Sequence, residues 1–121
     1  MAFKTRYLFS ASMDVDTERE GLFNEIYDEE HVPLLSKVPG VAAITRLTNE
    51  KFKLAMGGEI RTISNPGIPR YSAFYEIEDP AVLTSDAWAA AVEHGRWPGQ
   101  VRPYTSNRQH LLRKIIQLLD K

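Results

Sequence analysis

His31 shares one side of a helix-forming stretch with two aromatic residues, since it follows Tyr27 by four positions and Phe23 by eight. Those spacings place side chains above one another on a helix. An imidazole titrates near pH 6.5, so it can take and give a proton close to neutrality. The Tyr27 phenol beside it can position a carbonyl or an aromatic substrate. Pro33 stands two residues further on; it cannot donate to the carbonyl of Glu29, and its ring crowds that turn. The helix is therefore expected to bend just after His31 and turn the ring toward a pocket. The competing reading keeps His31 in the core, tied to a backbone carbonyl that Pro33 sets free. Its pKa should leave the ordinary value in either direction: desolvation lowers it, whereas a charged Glu30 within reach raises it.

Other side chains extend this set. Tyr75 is expected to face Tyr27 between a helix and a sheet, with one of the two phenols serving core packing. Arg46 offers a fork of donors suited to a carboxylate, or is simply a surface residue of its strand. Trp88 belongs to a second helix and reads equally as core. Trp97 and Tyr104 lie in an irregular segment that would cover the mouth of a pocket, where aromatic rings commonly line ligands. His94, at the end of the second helix, fits interaction with the last carbonyls of that helix better than with a ligand. His31 and Tyr27 are thus the catalytic candidates, and Phe23, Arg46, Tyr75, Trp88, Trp97 and Tyr104 the substrate-contacting ones. No metal site is expected: Cys is absent and no His-x-x-x-His occurs. "MGG" is too short for a phosphate loop, and no nucleophile elbow is present.

The elements that must carry these residues can be read from periodicity. "YLFSASM" alternates in twos and reads as a strand, as do "VAAITRLT" and "RYSAFYEIE". In the last of these Tyr71, Ala73, Tyr75 and Ile77 fall on one side and Phe74 on the other. Thr17 and Glu20 have the spacing of a capping box ahead of the first helix. Asp79 followed by Pro80 starts a second helical region with Ser85 as an internal cap, and Gly95 stops it. Residues 49–69 loosen into a hairpin extension or loop insertion, with "GG" as its turn. The closing "RQHLLRKIIQLL" has helical spacing at Leu111, Leu112, Ile115, Ile116 and Leu119. The element order β-α-β-β-α asks for a strand there instead, completing a split βαβ sandwich, and strand is adopted.

The chain as a whole limits the function. Its 121 residues suit one domain, and its 43% hydrophobic and 26% charged composition is that of a globular protein. A formal net charge of -1 with no basic run argues against nucleic acid as a partner. No apolar run approaches a membrane span and the N-terminus lacks a signal-peptide pattern, so a cytoplasmic location is the default.

The stretch "NEIYDEEHVPLLSKVPGV", preceded by a strand and "MDVD", resembles the ferredoxin-like dimeric α+β barrel proteins, and within them the EthD-like branch. Asn24, Glu25, Tyr27, Asp28, Glu30, His31 and Pro33 match its pattern, and "YSAFYEIEDPAVLTSDAW" and "VRPYTSN" fit its later blocks. The resemblance implies an antiparallel sheet with two helices on one face, paired with a second copy in a homodimer. It also implies a small-molecule ligand and no resident cofactor. The activity it implies is a cofactor-independent isomerase, lyase or cyclase step with His31 as acid or base, or a cofactor-independent monooxygenase. A non-enzymatic ligand-binding or stress-associated dimer is the alternative. A haem held by His31 alone ranks below these.

Overall fold

The structure, a computed structural model, describes residues 3–121. Four strands form an antiparallel sheet: β1 (Tyr7–Val15), β2 (Val41–Thr48), β5 (Tyr71–Ile77) and β6 (Thr105–Lys114), in the order β2-β5-β1-β6. β3 (Phe52–Met56) and β4 (Glu59–Ile63) form a separate two-stranded ladder. Gly57 and Gly58 join them with φ of 63° and 79°, the doubly left-handed turn that matches hairpin twist and that glycine adopts without strain.

Strand alternation decides which side of the sheet is covered. Registers of Phe9 with Tyr75 and Ala11 with Ala73 align the odd-numbered residues of the two central strands on one face. Ala11, Met13, Tyr71, Ala73, Tyr75 and Ile77 are buried there. The helical layer supplies Phe23, Ile26 and Leu35, each with no exposed surface. Burial of each of these side chains contributes about 2 kcal/mol. The opposite face is more polar. It presents Leu8 and Phe74 among Ser10, Ser12, Ser72 and Glu76, with the Ser12 and Ser72 hydroxyls 2.7 Å apart.

The first helical layer is irregular in a way the sequence only half announces. A 3-10 turn at Thr17–Arg19 leads into α1 (Glu20–Ile26), a π-helical turn spans Tyr27–His31, and α2 (Val32–Ser36) follows. The capping box expected from Thr17 and Glu20 does not form: neither the turn nor α1 has a side-chain cap. The Glu20 carboxylate instead accepts from the Tyr71 hydroxyl and lies 3.4 Å from Arg70 Nε. The phenol that opens β5 and the guanidinium just before it outcompete a local amide for that carboxylate. Where a bend was expected after His31, a π-turn precedes the residue, with the Val32 N–H donating to Tyr27 O, and the α-helix restarts at Val32. Pro33 then falls in the first turn of α2, where a missing N–H is tolerated.

The second helical region begins as anticipated, with the Asp79 carboxylate accepting from Ala81 N at 2.8 Å. A 3-10 stretch, Pro80–Thr84, precedes α3 (Asp86–Ala91), and the Ser85 hydroxyl caps α3 by accepting from Trp88 N at 3.2 Å. The chain then passes through a π-turn at Trp97–Val101 and a 3-10 turn at Arg102–Tyr104 into β6. The strand reading of the last segment holds from Thr105 to Lys114, and residues 115–121 are irregular. Ladder bonds to β1 outweigh a helical spacing whose later members, Ile115, Ile116 and Leu119, fall beyond the strand.

Candidate functional site

The face of α1, the π-turn and α2 that meets the sheet carries an aromatic cluster. The Tyr27 hydroxyl reaches the Tyr75 hydroxyl at 3.5 Å, the outer limit of a hydrogen bond. Burial raises the pKa of both phenols, Tyr75 well above the ordinary value, so both stay protonated at neutral pH. The His31 ring lies nearly parallel to the Trp97 indole, centroids 4.4 Å apart and planes 22° apart. Tyr27 packs edge-on against both rings, at 5.0 Å from His31 and 5.1 Å from Trp97.

The segment carrying Trp97 is latched to the helix beneath it. Glu30 accepts from Arg96 N at 3.0 Å and from Arg96 Nε, and Arg96 also reaches Glu25 at 3.4 Å. Gly95 makes the turn possible with φ of 75°, and a Cβ there would come within 2.7 Å of Glu30 Oε1. Hydrogen bonds from Arg96, first backbone and then side chain, hold the Glu30 carboxyl below its usual range. Glu30 is therefore spent on the latch and does not orient His31.

Desolvation settles the balance at His31. The residue is 5% exposed, and its pKa falls to about 4, first through burial and then through the charge of Arg102. The ring is neutral at physiological pH. Its Nδ1 is buried and has no hydrogen-bond partner among the described residues. A core histidine tied to a carbonyl released by Pro33 is not what the structure contains.

His31 lines a cavity of about 320 Å³ between the helical layer and the sheet. Tyr27, Leu35 and Trp97 share the helical wall with it, Phe9, Tyr75 and Met13 come from the sheet, and Leu83, Trp88 and Val92 close the α3 side. Arg102, Arg108 and His110 complete the rim. A larger hollow of about 440 Å³ lies between residues 3–6 and 115–118, but it is a trough whose single aromatic ring is Phe3 and whose titratable groups are Lys4 and Arg6. The smaller cavity is the better ligand site because it gathers apolar rings around a few polar groups. Among the described residues no group of three or more His, Cys, Asp or Glu side chains is placed to hold a metal ion.

Of the residues singled out from the sequence, His31, Tyr27, Tyr75, Trp88 and Trp97 come together around this cavity. Phe23 does not reach it and sits in the core behind Tyr27, ring centroids 5.3 Å apart. Arg46 is occupied elsewhere: it donates to Asp28 Oδ1 and Asn24 Oδ1, both at 2.7 Å, with its guanidinium over the Tyr27 ring. Asp28, one of the residues of the matched stretch, makes that ion pair from an exposed position. Tyr104 lies outside the cavity beneath the Arg19 guanidinium, 3.8 Å from its ring centre. Sequence reasoning missed Phe9, Arg102, Arg108 and His110. Phe9 was within reach, since it alternates with Ala11 and Met13 on the face that also carries Tyr75. Arg108 and His110 were hidden by the helical spacing of the last segment.

No protein-family model matches this chain, and no curated protein does. Solved structures do. A point mutant of MhuD, solved with two manganese protoporphyrin IX molecules bound per active site, superposes with a TM-score of 0.61 at 12% identity. The match covers 95% of this chain and 99% of that one. An ethyl tert-butyl ether degradation (EthD) family protein from Bacillus halodurans gives 0.56 at 13% identity, covering 91% and 99%. The chain has the ferredoxin-like fold of the dimeric α+β barrels. The fold implied by the likeness read from residues 24–41 is thus met in the backbone path over most of the chain. Among the described residues no helix of the barrel is long and apolar enough to cross a membrane.

Proposed function

We propose that this barrel binds a small aromatic or carbonyl-containing metabolite in the His31 cavity and moves a proton on it without a cofactor, as an isomerase, lyase or cyclase. The carrying observation is His31 itself, lining an aromatic cavity with a buried ring nitrogen that no group of the described residues satisfies. Buried polar atoms are nearly always paired, and an exception asks for an explanation. A ligand carbonyl or hydroxyl supplies the partner.

The chemistry follows from the ring's neutrality. A neutral imidazole donates one N–H and accepts at the other nitrogen. Held near pKa 4, it is too weak a base to carry a proton at rest. Negative charge developing on a bound enol or phenol would stabilise the imidazolium, so His31 gains basicity as the substrate loses its proton. On this reading the Tyr27 and Tyr75 hydroxyls, protonated at neutral pH, donate to the same substrate oxygen. The cavity is at the small end of the range for ligand sites, about 300–1,000 Å³, which favours a ligand of one or two rings over a macrocycle such as the porphyrin in the MhuD structure. A homodimer formed through the helix-free face, with Phe74 covered, and a cytoplasmic location belong to the same reading.

The low basicity of His31 favours one alternative, a binding protein that performs no reaction. Native mass spectrometry of freshly purified protein against a metabolite panel identifies the ligand, and His31→Asn then separates the two. Turnover lost with the adduct retained supports catalysis, and an adduct with no turnover in either protein supports the binder. No adduct from any metabolite would overturn both.

A further inference from the structure

We propose that the ligand is an acid: its ring lies against the surface that Phe9, Tyr75 and Trp88 form by packing on one another, and its carboxylate is held by Arg108 at the mouth of the cavity. The inference deepens the function proposed above and rests on it. Two arginines and two histidines line the cavity, and no aspartate or glutamate does. The arginines are not equivalent. Arg102 is committed to its own surroundings, donating to Glu93 at 2.9 Å and to Val92 O at 2.7 Å. The Arg108 guanidinium has neither a hydrogen bond nor an ion pair with any described residue.

A local irregularity places it there. The register between β1 and β6 shifts between Ser12 and Asp14, and Asn107, opposite that break, has φ of 50°. The Asn107 amide donates to Asp14 Oδ2 at 3.0 Å and to Gly67 O at 3.2 Å, which ties the extra residue outward. Arg108 stays two residues before His110, and so on the same, cavity-lining side of β6. His110 in turn lies flat against Phe9, with planes 13° apart, and extends the aromatic floor toward the guanidinium. Its pKa is lowered by burial and then by the charge of Arg108, and that charge also acts on Tyr27. The field of Arg108 therefore reaches two groups that line the cavity, His110 and Tyr27. One free guanidinium matches one planar carboxylate through paired N–H donors.

The chain's two tryptophans both line this cavity, so their indole N–H signals in an NMR titration report its occupancy. The probes are 2-naphthoate and its neutral isostere 2-naphthamide. The acid should bind about 10-fold more tightly than the amide and lose that advantage as salt is added. Arg108→Gln should abolish the difference, and Arg108→Lys, which keeps the charge, should retain part of it. Arg108 is exposed on an edge strand, so neither change touches the core. Equal binding of acid and amide, or an advantage that survives in Arg108→Gln, overturns this inference and leaves the cavity reading standing. Indole signals unmoved by both probes overturn the cavity reading as well.

Discussion

Replacing His31 with Asn should flatten the acid limb of the protein's stability curve. In the folded chain the imidazole sits near pKa 4, against about 6.5 when unfolded. A lowered folded pKa means that the unfolded chain binds the proton first as pH falls. The penalty is then nearly absent at neutral pH, grows through the interval between the two values, and levels off below about pH 4. Linkage between those two values gives a loss of about 2 kcal/mol by pH 5 and about 3 kcal/mol by pH 4, relative to pH 7. Asn keeps a hydrogen-bonding side chain but cannot titrate, so the variant lacks this slope whatever its stability at neutrality. Urea unfolding of both proteins at about pH 7, 6, 5 and 4 measures it, because titrations common to both, such as Glu30 against Arg96, cancel in the difference. Parallel curves, agreeing within about 0.5 kcal/mol across that range, would refute the claim that His31 is buried, neutral and without a compensating partner.

Gly95→Ala should cost about 1–2 kcal/mol, because alanine is strained at a φ of 75° and its Cβ meets Glu30; thermal unfolding measures the loss, and NMR should show the Trp97 ring leaving His31. Pro33→Ala should change stability by less than about 1 kcal/mol while letting Glu29 O regain an α-helical partner; a His31 pKa unmoved in NMR titration, together with unmoved ligand binding, would show that the π-turn does not depend on the proline. Removing residues 52–63 should leave the cooperative unfolding transition in place, since the hairpin is exposed along most of its length and belongs to a separate ladder; failure to fold would place it in the core or in the seam between copies. Analytical ultracentrifugation at micromolar concentration should find a dimer, and a stable monomer would remove the proposed pairing of helix-free sheet faces.

Periodicity alone determined much of this protein. The alternation of Tyr71, Ala73, Tyr75 and Ile77, and the helical stripe of Phe23, Tyr27 and His31, state which side of each element is buried, because side-chain direction is fixed by local backbone geometry. The Ser85 and Asp79 caps were legible for the same reason, each being a bond within three residues. Only the tertiary structure decided what those faces meet. Glu20 reads as half of a capping box until Tyr71, 51 positions away, offers its hydroxyl. Glu30 reads as a charge within reach of His31 until Arg96, 66 positions away, takes both of its oxygens. Arg46 reads as a ligand-binding fork until Asp28 and Asn24 fill it. In each case a polar group has several possible partners of similar strength, and the path of the chain, which local pattern does not encode, brings one of them within reach. The last strand follows the same logic: its sequence permits a helix, and the unpaired edge of β1 makes it a strand.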